Sequence, residues 1–222
     1  MKSIILVVFF IIVGVGFSSA DDFRYLSTDD GLTDGEINSI VQDSTGNMWF
    51  ATWSGLMKYD GYSIELFRPE LDEPESLPDK KIKKLFIDSK DNLWIATSTN
   101  LCMYEKNTKS FQTCSFEGVE NNTINILNLY ELKDFLIVHA VQGLFLMPLE
   151  KCKKGYQAKL EKLLMNGVET NYYFHYSRSY QDKLLLVSNN YEGSAQINFA
   201  ELIVDGEKTN FKITTTKELN GL

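Results

Sequence analysis

The chain has 222 residues, 30 of them acidic against 22 basic, for a formal charge of −8 at pH 7. That balance argues against a role on nucleic acid or on an anionic membrane surface. Three cysteines, Cys102, Cys114 and Cys152, are odd in number and lack metal-ligand spacing, which excludes a disulfide-framework domain and a zinc module.

Residues 1–20 read as a secretory signal: Lys2, then the apolar run Ile4 to Phe17, then the small residues Ser18-Ser19-Ala20. Cleavage is expected between Ala20 and Asp21. The run is shorter than the roughly 20 residues of a comfortable membrane span. The mature chain, 21–222, is therefore expected to be exported. No later segment is expected to cross a bilayer, since the most apolar, Phe135 to Met147, is short and contains His139 and Gln142.

The first folded unit is predicted over 37–67. Its strands are Ile37 to Val41, Met48 to Ala51, Leu56 to Tyr59 and Tyr62 to Phe67, joined by the polar turn Gln42 to Asn47, by Trp53-Ser54-Gly55 and by the hairpin turn Asp60-Gly61. Pro69 to Asp79, with three prolines and several acids, reads as an exposed connection. The second unit, 82–115, repeats the plan with Ile82 to Ile87, Leu93 to Ala96, Leu101 to Tyr104 and Ser110 to Ser115. The two copies are in register at an offset of 45, which superimposes INSIVQDSTGNMWFATWSGLMKY (37–59) on IKKLFIDSKDNLWIATSTNLCMY (82–104). A period of this length in strand-like sequence is the mark of a β-propeller blade.

Six positions carry the repeat: Asp43, Asn47 and Trp49 in the first copy, and Asp88, Asn92 and Trp94 in the second. Each is expected to serve the fold. The Asp carboxylate accepts N–H groups across its turn, Gly46-Asn47 and Asp91-Asn92 tolerate positive φ, and each Trp packs between neighbouring blades. Cys102 and Cys114 stand to either side of the turn Glu105 to Lys109, as two buried thiols or as a bridge across the hairpin.

A third unit is expected over 124–163 (Ile124 to Tyr130, Phe135 to His139, Gly143 to Leu149, Gln157 to Leu163). A fourth is expected over 172–215 (Tyr172 to Tyr176, Leu184 to Val187, Ser194 to Phe199, Phe211 to Thr215). Neither has the Asp-to-Trp signature. The fold expected is all-β, an arc of about four four-stranded blades. A closed four-bladed ring is the competing geometry, disfavoured because the sequence ends where a further unit would begin.

No nucleophile elbow, phosphate loop or metal-spaced histidine pair is present, and no cofactor is expected. His139 and His175 sit in apolar or aromatic strands and read as packing residues. A propeller hydrolase of the sialidase type needs converging arginines, whereas the chain has only Arg24, Arg68 and Arg178. Binding remains, at the channel mouth. Trp53, in the loop between the second and third strands, is the candidate ligand-binding residue, with packing against the next blade as its alternative role; Tyr62 is expected to be structural.

The segment Phe23 to Phe67, together with Ser76-Leu77-Pro78 and Asn92-Leu93-Trp94-Ile95-Ala96-Thr97, resembles the two-component regulator propeller repeat. It is similar to the start of the periplasmic sensor region of Bacteroides-type hybrid two-component histidine kinases. The resemblance is specific from Asp22 to Phe111 and only rhythmic beyond. It implies an incomplete seven-bladed propeller, whose last blade would take a strand from Phe23 to Leu26. It further implies a non-enzymatic segment without kinase or DNA-binding parts, sensing an oligosaccharide and able to pair with further blades or with itself. A non-catalytic protein-interaction propeller is the alternative, and a glycan hydrolase or lyase ranks last.

Overall fold

The computed structural model describes residues 25–33, 36–151, 159–162, 164–165, 168–169, 174–180, 183–189, 195–205 and 208–218. The expected signal segment, Phe23, Arg24 and Cys152 lie outside them. Among the described residues no helix is long and apolar enough to cross a membrane.

The strands form four sheets in chain order, each built mainly from antiparallel neighbours. The first is β1 (Ile37–Gln42), β2 (Met48–Thr52), β3 (Leu56–Tyr59) and β4 (Ile64–Phe67). The second is β5 (Ile82–Ile87), β6 (Leu93–Thr97), β7 (Leu101–Glu105) and β8 (Ser110–Thr113). The third takes β9 (Ser115–Phe116), β10 (Ile126–Leu132), β11 (Phe135–Ala140), β12 (Gly143–Pro148) and β13 (Lys159–Lys162). The fourth contains β14 (Leu164–Met165), β15 (Val168–Glu169), β16 (Phe174–Tyr180), β17 (Lys183–Asn189), β18 (Ala195–Asp205) and β19 (Lys208–Glu218).

The first strands adjoin in succession, β1 against β5, β5 against β10 and β10 against β16, so the sheets are blades sharing an inner edge. No comparable packing joins β16 back to β1 among the described residues, which gives an arc. Three hydrophobic clusters fill the three seams. Trp49, Leu56, Leu85 and Tyr104 meet in the first, Trp94, Leu129 and Phe145 in the second, and Ile137, Leu184 and Leu202 in the third. A blade is thus apolar on both faces, and its middle strands read as continuous buried runs, as Leu93–Thr97 does.

The connections depart from expectation in an instructive way. Ser115, expected to close the second blade, leaves it: β8 ends at Thr113, and β9 lies parallel to β13, the outer strand of the third blade. The same device recurs at the fourth blade, where β14 runs parallel to β19. At the second blade the Phe111 N–H donates to Glu75 O (2.7 Å), and Leu77 is buried in the first seam. The segment Pro69 to Asp79 is therefore not simply exposed. Each connection covers the outer edge of the blade it leads to, an edge that would otherwise present unpaired backbone groups. The fourth blade also has longer strands than expected. β18 runs on past Phe199 because Ala200 and Leu202 continue an alternation whose buried side faces the third seam.

Candidate functional site

The signature residues form a closed hydrogen-bonded turn at each of the first two blades. Asp43 Oδ1 accepts from the Thr45 N–H (3.0 Å), the Thr45 hydroxyl (2.6 Å) and the Asn47 N–H (3.0 Å). Its Oδ2 accepts from Asn47 Nδ2 and from Trp49 Nε1, each at 3.0 Å. Asp88 repeats the pattern with the Lys90 and Asn92 N–H groups, Asn92 Nδ2 and Trp94 Nε1, all at 2.9 Å. Burial pushes the Asp43 carboxyl up, but the donors from Thr45, Asn47 and Trp49 outweigh it and hold the group well below the ordinary carboxylate range. As expected of the pairs Gly46-Asn47 and Asp91-Asn92, each turn contains a positive φ, carried by Gly46 (88°) and Asp91 (63°), while Asn47 and Asn92 act as amide donors to the carboxylate.

Between blades, the residue after each signature Asp makes a two-point contact. Ser44 N–H and hydroxyl donate to the Asp91 carboxylate (2.9 and 2.5 Å), and Ser89 N–H and hydroxyl donate to Glu131 (2.7 and 2.6 Å). Trp49 closes the first seam in an aromatic group with Phe67, Tyr104 and Phe111, at ring separations of 5.0 to 5.9 Å. Burial, with the nearby Glu65 and Glu105 charges, pushes the Tyr104 phenol up to about 12.

At the inner edge all four first strands carry a register shift at the same place. It falls between Ile37 and Ser39, Ile82 and Lys84, Ile126 and Asn128, and Phe174 and Tyr176. A bulge there re-aims the extra residue, which in the first three blades is Asn38, Lys83 or Leu127. Two of them, Asn38 and Lys83, reach toward the following blade. Asn38 Nδ2 donates to Ile82 O (2.8 Å), and Lys83 Nζ donates to Asn125 Oδ1 (2.8 Å). One residue on, the Ser39 hydroxyl accepts from the Leu85 N–H (3.1 Å), and Lys84 Nζ donates to Asn128 Oδ1 (2.6 Å).

This end of the inner edge is also where the second-to-third-strand loops sit, since Ile37 pairs with Thr52 and Ile82 with Thr97. Trp53 follows Thr52 and is 37% exposed, without a hydrogen bond or ring contact among the described residues. Ser98 N–H donates to Lys81 O (2.8 Å), which folds the second loop over the start of β5. Exposed Leu127 and Val141 lie at the same end of the third blade, so this end of the inner edge, the mouth, carries aromatic, amide, cationic and apolar groups.

Other candidates lie elsewhere. Tyr62 stands 93% exposed at the outer hairpin, so it contributes no core packing, contrary to the structural role expected. Arg68 is held at the outer edge by its Nε–H bond to Ser54 O (2.8 Å). His139 is buried on β11, and His175 lies on β16. Among the described residues no group of three or more His, Cys, Asp or Glu is placed to hold a metal ion. Cys102 and Cys114 are both buried free thiols. Cys102 opposes Thr113 while Cys114 opposes Leu101, so the two face opposite sides of the sheet and belong to different seams.

Residues 31–54 and 76–99 match the two-component regulator propeller family. No curated protein matches the chain. Among solved structures, the extracellular domain of the putative hybrid two component system BT3049 from B. thetaiotaomicron is similar at a TM-score of 0.60 and 17% identity, over 84% of this chain and 31% of that one. The extracellular domain of the putative hybrid two component system BT4673 from the same organism gives a TM-score of 0.58 and 14% identity, over 89% of this chain and 33% of that one. The chain therefore spans about a third of the solved domains it matches. With blades, seams and repeat in agreement, the chain is a β-propeller protein carrying two copies of the two-component regulator propeller repeat.

Proposed function

We propose that this propeller is an exported ligand-sensing segment of a hybrid two-component system, and that its ligand is a glycan-derived oligosaccharide bound at the mouth of the inner edge. The observation that carries this reading is the mouth itself, the end of the inner edge that carries an exposed indole after the second strand of the first blade and amides and lysines on the bulged first strands. Indole faces stack on sugar rings, and amides and ammonium groups bond to hydroxyls. No bond chemistry is assigned to the site. Binding would act by favouring one arrangement of the sensor over another, as differential affinity requires. The proposed residence is the periplasm, reached through a signal peptide over 1–20. Pairing with further blades or with a second copy would extend the arc.

The test is thermal unfolding of the purified chain against a panel of neutral and acidic oligosaccharides. A saccharide that binds the folded state raises the transition by mass action, and the rise grows with its concentration. Trp53→Ala should abolish that rise while leaving the unliganded transition within about 1 kcal/mol of the parent, because the side chain is exposed. A transition indifferent to every saccharide would contradict the reading.

A further inference from the structure

The first and second seams are latched by the same two positions of the first strand, and the residues differ in charge. At the first seam the pair is Asn38 and Ser39, both neutral. At the second seam it is Lys83 and Lys84, each half-buried and each donating to a neutral amide, Asn125 or Asn128. Lys83 also reaches the backbone carbonyl of Ser98 (3.5 Å). Neutral latches therefore suffice to join blades, and joining blades alone does not require two lysines.

Among the described residues their charges are also left without a counter-ion. The nearby carboxylates are engaged by other donors: Glu131 by Ser89, and Asp79 by the Lys81 N–H and the Ser98 hydroxyl. Neither lysine makes an ion pair with any described residue. Burial lowers the Lys84 ammonium pKa, which shows that the group is partly stripped of water without a compensating carboxylate. Two adjacent, half-buried lysines at this end of the inner edge, donating only to neutral groups, are a recognition element for an anion, and in a chain of net charge −8 they make a local exception.

We infer that Lys83 and Lys84 bind the acid group of an anionic saccharide, a carboxylate or a sulfate, whose ring lies toward Trp53. This rests on the glycan reading above and narrows it to acidic sugars.

The experiment is calorimetric titration of the purified chain and of a Lys83→Asn, Lys84→Ser variant. That variant installs at the second seam the two residue types the first seam already uses, so it retains the latch positions, and its thermal transition checks that it folds. The probes are trigalacturonic acid, its methyl ester, a sulfated galacto-oligosaccharide and inorganic sulfate. The two acidic sugars separate a carboxylate from a sulfate as the source of the charge. The inference expects at least one acidic probe to bind the parent chain, with affinity that weakens as salt rises. The same probe should lose on the order of tenfold or more on the variant, the scale of a charge-assisted hydrogen bond. If a neutral saccharide binds the parent as tightly as the acids, or the acids bind the variant undiminished, the charge inference fails while the glycan reading stands. If parent and variant respond alike to every acid and to sulfate, with no saccharide bound, both fail.

Discussion

Asp43 holds the first repeat together, and it does so as a charged acceptor for five donors. Removing it in Asp43→Ala leaves Trp49 Nε1 buried without its partner, along with two turn N–H groups. The expected loss is about 3 kcal/mol, from orphaned donors at roughly 1–3 kcal/mol each with part of the turn open to water. The midpoint of urea unfolding measures it. The carboxyl pKa is depressed in the folded state, so the unfolded chain takes up the proton first as pH falls. The stabilisation is therefore present above the ordinary value of 3.8 and drains away as pH drops below it. Thermal scans against pH should show an acid limb in the parent chain that is flattened in Asp43→Asn. Asp43 and Trp49 were legible in the sequence because a short acceptor and an indole recur at a fixed offset. The work of Asn47 was not, since an amide after glycine suits either a left-handed turn or a donor, and only the turn's geometry decides. Gly55 belongs to the same scale: φ is 143°, and a Cβ there would stand 2.6 Å from Phe67 O, so no side chain fits.

The blades were legible as elements wherever turns punctuate the strands. The devices that join blades were not. A parallel pairing such as β9 with β13 is made between distant segments, and no local signal marks Ser115–Phe116 as part of the next blade. The four bulges are equally silent, because one extra residue in a strand changes no composition. These joints carry measurable energy. Leu77, fully buried from an acidic connection, packs in the first seam, so Leu77→Ala should cost about 2–5 kcal/mol, a core-cavity penalty from a residue outside every strand. Ser89→Ala removes a hydroxyl bond to Glu131 at the surface and should cost about 1 kcal/mol or less. Denaturant midpoints for the two variants should differ in that order, and equal losses would contradict the assignment of Leu77 to the seam.

At the scale of the molecule, stability resides in three seams, each of which requires two blades. Cys102 and Cys114 illustrate how a blade divides between seams: neighbours across one hairpin, they lie on opposite faces of the sheet and cannot bridge without moving strands. Burial first, and then repulsion from Cys114, pushes the Cys102 thiol well up, which removes its nucleophilic form. Thiol labelling of the native chain should therefore leave both residues unmodified until denaturant exposes them, and rapid native labelling of either would contradict the packing. Sequence spacing placed both residues near one hairpin, but face assignment depends on register, which spacing does not fix. The central claim, that the inner-edge mouth of this propeller binds a saccharide, has a direct optical test. Of the chain's three tryptophans, Trp49 and Trp94 are buried and hydrogen-bonded to aspartates, while Trp53 is exposed at the mouth. Acrylamide quenching of the native chain therefore reports mainly on Trp53. The account predicts that a bound oligosaccharide shields this fluorescence in proportion to occupancy and that Trp53→Ala removes the effect. Saturating binding with quenching unchanged would place the ligand elsewhere and contradict the account.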